Sequence, residues 1–164
     1  RVCRRARYNH IIMLDDDLIF QKDFYQGLQK FGEDYDVMVC KMLNPDGSRF
    51  YDWKILVDGK NYLLNYDQTD PNLSLSGGLL IMKSWVFEQV QMNENLGFYE
   101  GEDVDFSDRL KKAGMHIRMN PYCTVTHDGP YKQAGNQVLR MNFRGRLSYI
   151  KYRVFSQLFG TLEK

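Results

Sequence analysis

The segment that decides the fold lies at residues 9–20 and reads Asn-His-Ile-Ile-Met-Leu-Asp-Asp-Asp-Leu-Ile-Phe. The four apolar residues at 11–14 predict a strand that is buried on both faces. This strand ends in three carboxylates, Asp15, Asp16 and Asp17. Side chains alternate along a strand, so Asp15 and Asp17 are expected on one side, where they repel each other unless a cation compensates them. The triplet therefore predicts a Mg²⁺ or Mn²⁺ site, and the alternative is an acidic loop that caps a following helix.

The composition bounds the class of protein. With 164 residues, of which 43% are hydrophobic and 26% charged, the chain can form one globular domain and is not wholly disordered. No apolar run reaches the roughly 18 residues that a membrane-spanning helix needs. The three cysteines are far apart in the sequence. They fit neither a disulfide framework nor a zinc cluster, and they favour a reducing compartment.

The net charge of +1 hides a segregation of charge along the chain. Residues 1–10 carry four basic side chains and no acidic one, and residues 130–164 carry 7 basic and 1 acidic. Between them, residues 11–129 carry 11 basic and 20 acidic side chains. This acidic middle agrees with carboxylates gathered around a cation and, more simply, with a solvated acidic surface.

The rest of the sequence predicts alternating strands and helices. The turn signal Asn-Pro-Asp-Gly at 44–47 predicts a hairpin between strands at 35–42 and 49–57. Residues 58–76 are polar and predict a long loop with a short strand at 62–64. Further strands are expected at 75–82, 115–119 and 123–126. Helices are expected at 21–31, at 85–91 with Ser84 as its cap, at 102–113, and at 137–159, where the helix is long, basic and amphipathic.

Three other features carry chemistry. Residues 99–105 read Tyr-Glu-Gly-Glu-Asp-Val-Asp at a helix start, where a carboxylate offsets the helix dipole or serves as a general base toward a hydroxyl. Gly77 and Gly78 open a predicted strand and indicate a bulge or the close approach of a ligand to the backbone. His127 closes a strand before a turn. A lone histidine is more often a hydrogen-bonded or surface residue than a metal ligand.

The order of these motifs resembles the catalytic half of a glycosyltransferase with the GT-A fold and is similar to family 2 of these enzymes. The resemblance covers residues 11–131 and rests on Asp-x-Asp at 15–17, Ser-Gly-Gly at 76–78, Gly-Glu-Asp at 101–103 followed by Arg109, and His127. It implies an α/β fold with a partial GT-A-like mixed sheet flanked by helices. The expected organisation is a catalytic part at 1–131, followed at 132–164 by the long C-terminal amphipathic helix.

The resemblance also implies roles for single residues. Asp17 and His127 would bind Mn²⁺ or Mg²⁺, and Asp15 would contact the metal, through water, or the nucleotide sugar. Asp103 would be the general base of an inverting displacement. The residues expected to contact the donor are Asp15, Asp16, Gly77, Gly78 and Glu102. The implied activity is transfer of a sugar from a nucleotide-sugar donor to a hydroxyl of a glycan or another acceptor.

Two other functions stay open from the residues. A metal-dependent nucleotidyltransferase also uses paired strand-end carboxylates, but it would need a further strand-borne acid near them. A non-catalytic module derived from a glycosyltransferase would bind a sugar or a partner protein through residues 58–76. The resemblance implies a nucleotide-binding half before residue 11, where only ten residues stand. We therefore expect the chain to be a fragment, or that half to come from elsewhere.

The expected partners and location follow from the charge pattern and the resemblance. No nucleic acid partner is expected. The basic residues of the C-terminal helix share one side only in part, through Arg140, Arg144 and Lys151. Packing on the domain core is the simpler role of this helix. The alternative is a weak, salt-sensitive contact with an anionic membrane, so the expected location is cytoplasmic, with peripheral membrane contact.

Overall fold

The computed structural model describes residue 3 and residues 6–57, 60–96 and 101–129. In chain order its elements are β1 (His10–Leu14), β2 (Leu18–Phe20), α1 (Phe24–Phe31), β3 (Val37–Leu43), β4 (Trp53–Val57), β5 (Lys60–Leu63), β6 (Leu73–Leu75), β7 (Leu79–Lys83), α2 (Ser84–Gln89), α3 (Glu102–Lys112) and β8 (Ile117–His127). No helix in these ranges is long and apolar enough to cross a membrane. The predicted helix at 137–159 and the expected boundary at 131 lie outside the described residues.

The main sheet has five strands in the order β1-β7-β3-β8-β2. Only β3 and β8 run parallel, and the other neighbours are antiparallel. The central strands β3 and β7 are apolar along most of their length because core packs on both of their faces. The prediction of an α/β fold with a mixed sheet is confirmed.

The strand that carries the acidic triplet differs from its prediction in burial. β1 lies at the edge of the sheet and pairs with β7. Ile11 is buried, but Ile12 is 47% and Leu14 is 48% exposed. The expectation that this strand is buried on both faces is wrong, because no described element covers the face of Ile12 and Leu14.

The acidic triplet also precedes a different element from the one expected. The chain turns at Asp16 and Asp17 and enters the three-residue strand β2, and α1 begins only at Phe24. The triplet therefore does not cap a helix. β2 pairs antiparallel with the end of β8 and places Leu18 opposite His127.

A second sheet has three strands in the order β5-β4-β6 among the described residues. β4 lies within the strand expected at 49–57, whereas β5 and β6 lie in the region expected as a long loop, where only a short strand at 62–64 was predicted. The expected hairpin between β3 and β4 is wrong, since β4 pairs with β5 and β6. Its start is present as a single bridge between Leu43 and Arg49. Beyond that bridge the N–H of Met42 is taken by a side chain, Asp52, so the ladder does not continue into β4.

The buried carboxylate of Asp52 joins the two sheets. Its Oδ2 accepts hydrogen bonds from the Met42 N–H at 3.0 Å and the Tyr66 hydroxyl at 2.8 Å. Its Oδ1 accepts from Arg49 Nε at 2.8 Å and the Trp53 N–H at 2.7 Å. Burial, and secondarily the Asp52 carboxylate, raises the pKa of the Tyr66 hydroxyl above its usual range. Asp52 therefore has partners on both oxygens, as a buried charge requires.

Three smaller predictions need correction. Ser84 is the first residue of α2 rather than its cap, and no side-chain cap bond is formed there. Gly77 and Gly78 lie in a turn that separates β6 from β7, so the strand expected at 75–82 is two strands. The strands expected at 115–119 and 123–126 are one strand, β8. The β3–β8 pairing shifts in register between Cys40 and Lys41.

We predict that Asp52→Ala lowers the free energy of unfolding by about 3 kcal/mol, because it leaves the Arg49 cation and two backbone donors without their acceptor. The measurement is urea unfolding followed by circular dichroism. The control is Asp67→Ala, which removes an exposed carboxylate from the connection between β5 and β6. An equal decrease in the free energy of unfolding of the two variants would contradict the role of Asp52 in connecting the two sheets.

Candidate active site

The three predicted metal ligands converge at one corner of the main sheet. Asp15 follows β1 and donates its backbone N–H to the Gly78 carbonyl at 3.0 Å, and the carbonyl of Asp17 accepts the N–H of Asp128 at 2.8 Å. One ligand atom each from Asp15, Asp17 and His127 lies within 4.8 Å of the others. The antiparallel pairing of β2 with β8 produces this convergence, since Asp17 directly precedes β2 and His127 ends β8.

The unpaired polar atoms of this cluster fit a divalent cation. Nε2 of His127 lies 3.5 Å from Oδ2 of Asp17. Oδ1 of Asp17 and Nδ1 of His127 are buried, and neither has a hydrogen-bond partner among the described residues. A buried polar atom without a partner costs about 1–3 kcal/mol. A cation would remove that cost at Asp17, and two carboxylates with an imidazole are a donor set that Mn²⁺ accepts. Metal binding itself stays a prediction.

Two residues at this corner were missed by the sequence analysis. A Cβ at Gly129 would collide with Oδ2 of Asp17 and would stand 2.5 Å from Cε1 of His127. The ring of Phe50 stacks on the imidazole of His127, with centroids 4.4 Å apart and an angle of 16°. The glycine two positions after His127 was a signal in the sequence, whereas no local pattern pointed to Phe50.

The electrostatics of the cluster favour a cation. Partial burial raises the pKa of the Asp15 carboxyl, and the neighbouring Asp17 carboxylate raises it further. His127 acts in the opposite direction, while Asp16 and Glu102 add to the rise. A cation beside Asp15 would favour the ionised form of its carboxyl group. Asp16 is exposed and lies outside the three-residue cluster.

The predicted general base lies in the first turn of α3. The helix begins after Gly101, whose φ of 84° belongs to the left-handed region. Oδ1 of Asp103 accepts the N–H of Val104 at 2.8 Å, and the Asp103 side chain keeps 27% of its surface exposed. Arg109 pairs at 2.7 Å with Asp105 along the helix surface.

A cavity of about 760 Å³ connects the cluster with this helix. β1 forms one wall, and Asp15, Gly77, Glu102 and Asp103 lie on the cavity as well. A Cβ at Gly77 would meet only the Asp103 side chain, at an ordinary 3.7 Å. At Gly78 it would crowd Met42 Cε at 2.8 Å and reach Asp15 Oδ2 at 3.4 Å. Close packing thus requires a glycine at 78 more than at 77.

Comparison with known proteins bears on the fold. No protein-family model and no curated protein sequence matches the chain. Among solved structures the chain is similar to GalNAc-T7 with UDP, GalNAc and Mn²⁺, with a TM-score of 0.57 and 16% sequence identity. The fold resembles the GT-A fold. The superposition covers 94% of this chain and 33% of GalNAc-T7, so the chain spans about a third of that protein.

Two other solved structures are more distantly similar. The catalytic domain of Drosophila beta1,4galactosyltransferase 7 with xylobiose matches with a TM-score of 0.43 and 18% identity, over 82% of this chain and 44% of that one. The inositol-1-phosphate CTP transferase from T. maritima matches with a TM-score of 0.46 and 14% identity, over 93% and 58%.

We predict that Gly129→Ala weakens Mn²⁺ binding by about tenfold or more, because the added methyl group would displace the side chains of Asp17 and His127. A tenfold loss corresponds to about 1.4 kcal/mol of binding free energy. The measurement is the broadening of backbone amide signals by Mn²⁺ in NMR titrations, which detects weak binding. Asp128→Asn is the control, because it removes an exposed neighbouring carboxylate that is outside the cluster. Equal affinities in the wild type and Gly129→Ala would argue against a cation at this corner.

Proposed function

We propose that this chain carries the metal-binding and acceptor-activating part of a glycosyltransferase, which moves a sugar from a nucleotide-sugar donor to an acceptor hydroxyl. The observation that carries the proposal is the convergence of Asp15, Asp17 and His127 beside a cavity that also holds Asp103. A cation site next to a carboxylate in the first turn of a helix suits the departure of an anionic group and the activation of a hydroxyl.

The proposed metal ligands are Asp15, Asp17 and His127, which would hold Mn²⁺ or Mg²⁺. Bound there, the cation would compensate the charge of a diphosphate leaving group. The phenyl ring of Phe50 keeps the imidazole plane in place, and the missing side chain at Gly129 leaves room for the Asp17 carboxylate and the His127 ring.

The proposed general base is Asp103. Its Oδ1 already accepts the Val104 N–H, and its Oδ2, which accepts no hydrogen bond from the described residues, would take the proton of the acceptor hydroxyl. As that proton moves, the hydroxyl oxygen forms its bond to the anomeric carbon and the bond from that carbon to the nucleoside diphosphate breaks. Attack opposite the leaving group inverts the anomeric configuration. Asp16, Gly77, Gly78 and Glu102 are proposed to contact the donor.

The donor class is proposed from the structural similarity. The similar GalNAc-T7 structure contains UDP, GalNAc and Mn²⁺, which supports a UDP-sugar as the donor and Mn²⁺ as the cation. A glycan or another hydroxyl compound is the proposed acceptor. A cytoplasmic location with peripheral membrane contact through residues 132–164 is likewise a proposal, which liposome co-sedimentation at low and high salt would test.

The nucleotidyltransferase alternative has less support. It would need a further strand-borne acid beside the first pair, and in the described ranges the single group of three possible ligands contains only Asp15, Asp17 and His127. The non-catalytic alternative is binding of a sugar or a partner protein through residues 58–76. It differs from the proposal because that binding would not depend on a metal and no sugar would be transferred.

We expect Asp17→Asn to weaken Mn²⁺-dependent binding of a UDP-sugar by about tenfold or more, because it removes a negatively charged ligand oxygen. Isothermal titration of the intact protein with UDP-sugar, with and without Mn²⁺, measures the effect. Asp128→Asn should bind as the wild type does. A preference for a nucleoside triphosphate over every UDP-sugar would support the nucleotidyltransferase alternative instead.

We expect Asp103→Asn to lower kcat of the intact protein by roughly 10²–10⁴-fold, because the amide cannot accept the proton of the hydroxyl. Donor binding should remain within about twofold, since the loss belongs to the transition state. Transfer of radiolabelled sugar measures kcat. The control is Asp108→Asn, a more exposed carboxylate of the same helix. Normal turnover by Asp103→Asn would refute its role as base and direct attention to Glu102 and Asp105.

A further inference from the structure

Lys54 is a buried lysine beside the candidate active site. It lies on β4, the central strand of the three-stranded sheet, between its pairing partners Leu63 and Ser74. Only 7% of the residue is exposed. Lysine is almost never buried to this degree unless its charge is paired, so the position of its ammonium group needs a reason.

The carboxylate that faces this ammonium belongs to Asp103. Nζ of Lys54 lies 3.9 Å from Oδ2 of Asp103, and the ring centroid of Tyr51 lies 5.7 Å from the same nitrogen. Burial lowers the pKa of Lys54, while the Asp103 carboxylate acts to raise it. The second sheet thus brings a cation to the oxygen of Asp103 that the Val104 N–H does not occupy.

The backbone around Asp103 is tied to the same sheet. The hydroxyl of Ser107 donates to the Asp103 carbonyl at 2.6 Å and accepts the Leu75 N–H at 2.8 Å. Leu75 ends β6, which is the neighbour of β4. The first turn of α3 is therefore held against the sheet that carries Lys54, so the ammonium and the carboxylate belong to one packed unit.

We propose that Lys54 is a positioning residue for Asp103, because its buried ammonium group supplies a positive counter-charge beside Oδ2. This inference rests on the proposed role of Asp103 as the general base. A separation of 3.9 Å is too long for a hydrogen bond. The lone pairs of Oδ2 consequently stay available to the acceptor hydroxyl while the attraction to Lys54 limits where the carboxylate points.

The first test is a double-mutant cycle on thermal unfolding, which needs no enzymatic activity. Asp103→Asn leaves a buried ammonium without its counter-charge and should lower Tm by roughly 4 °C or more. In the Lys54→Met background, where the cation is already absent, the same substitution should lower Tm by clearly less. Lys60→Met, which replaces an exposed lysine at the start of the neighbouring strand β5, is the matched control and should leave the full effect of Asp103→Asn in place. Equal losses in the Lys54→Met and wild-type backgrounds would overturn the inference.

The second test separates positioning from a structural role. Lys54→Met should lower kcat by roughly tenfold to a hundredfold, because a misplaced base costs rate rather than binding. The KM for the nucleotide sugar should stay unchanged, and Lys54→Arg, which keeps the charge, should recover part of the loss. A wild-type kcat in Lys54→Met, or a change confined to donor KM, would contradict the inference.

Failure of the inference and failure of the proposed function give different results. If Asp103→Asn lowers Tm equally in the wild-type and Lys54→Met backgrounds, the Lys54–Asp103 pairing is refuted whatever the activity of the protein. If the Tm loss is smaller in the Lys54→Met background but the wild-type protein transfers no sugar, the proposed function and the positioning role are both refuted. Lys54 and Asp103 are then an ion pair that stabilises the fold.

Discussion

The site depends on the short antiparallel pairing of β2 with the end of β8. Through this pairing Leu18 lies opposite His127, and the residue before Leu18 is Asp17. A carboxylate near the start of the chain therefore meets an imidazole at the end of the described region. The same strand, β8, runs parallel to β3 in the middle of the sheet. The core thus holds this corner of the sheet in place.

The arrangement of charge is the second constraint. Asp15, Asp17, Glu102 and Asp103 are brought near one cavity by different elements, and like charges in such a place destabilise the fold unless positive groups offset them. Among the described residues, the ammonium group of Lys54 on the second sheet lies beside Asp103, and the imidazole of His127 at the end of β8 lies beside Asp17. Burial raises the pKa of the Asp15 carboxyl, and the neighbouring Asp17 carboxylate raises it further.

Local signals predicted part of this fold well. α3 was expected at 102–113 and runs over Glu102–Lys112, because helical apolar spacing and the left-handed Gly114 act within a few residues. The second sheet was not predictable in the same way. β5 and β6 have only four and three residues, too few to show alternation. The expected β3–β4 hairpin was wrong because a side chain, Asp52, takes the Met42 N–H that a partner strand would have taken.

The sequence by itself determined the chemical groups and their order along the chain: carboxylates after the first strand, glycines before β7, acids at the start of α3 and a histidine at the end of a strand. Only the tertiary structure decided that Asp17 and His127 meet, that a side chain at 129 would fill the space beside them, and that Lys54 reaches Asp103. The reason is physical. Turn and helix signals act over a few residues, whereas these contacts depend on strand register and on packing between elements that are distant in the chain.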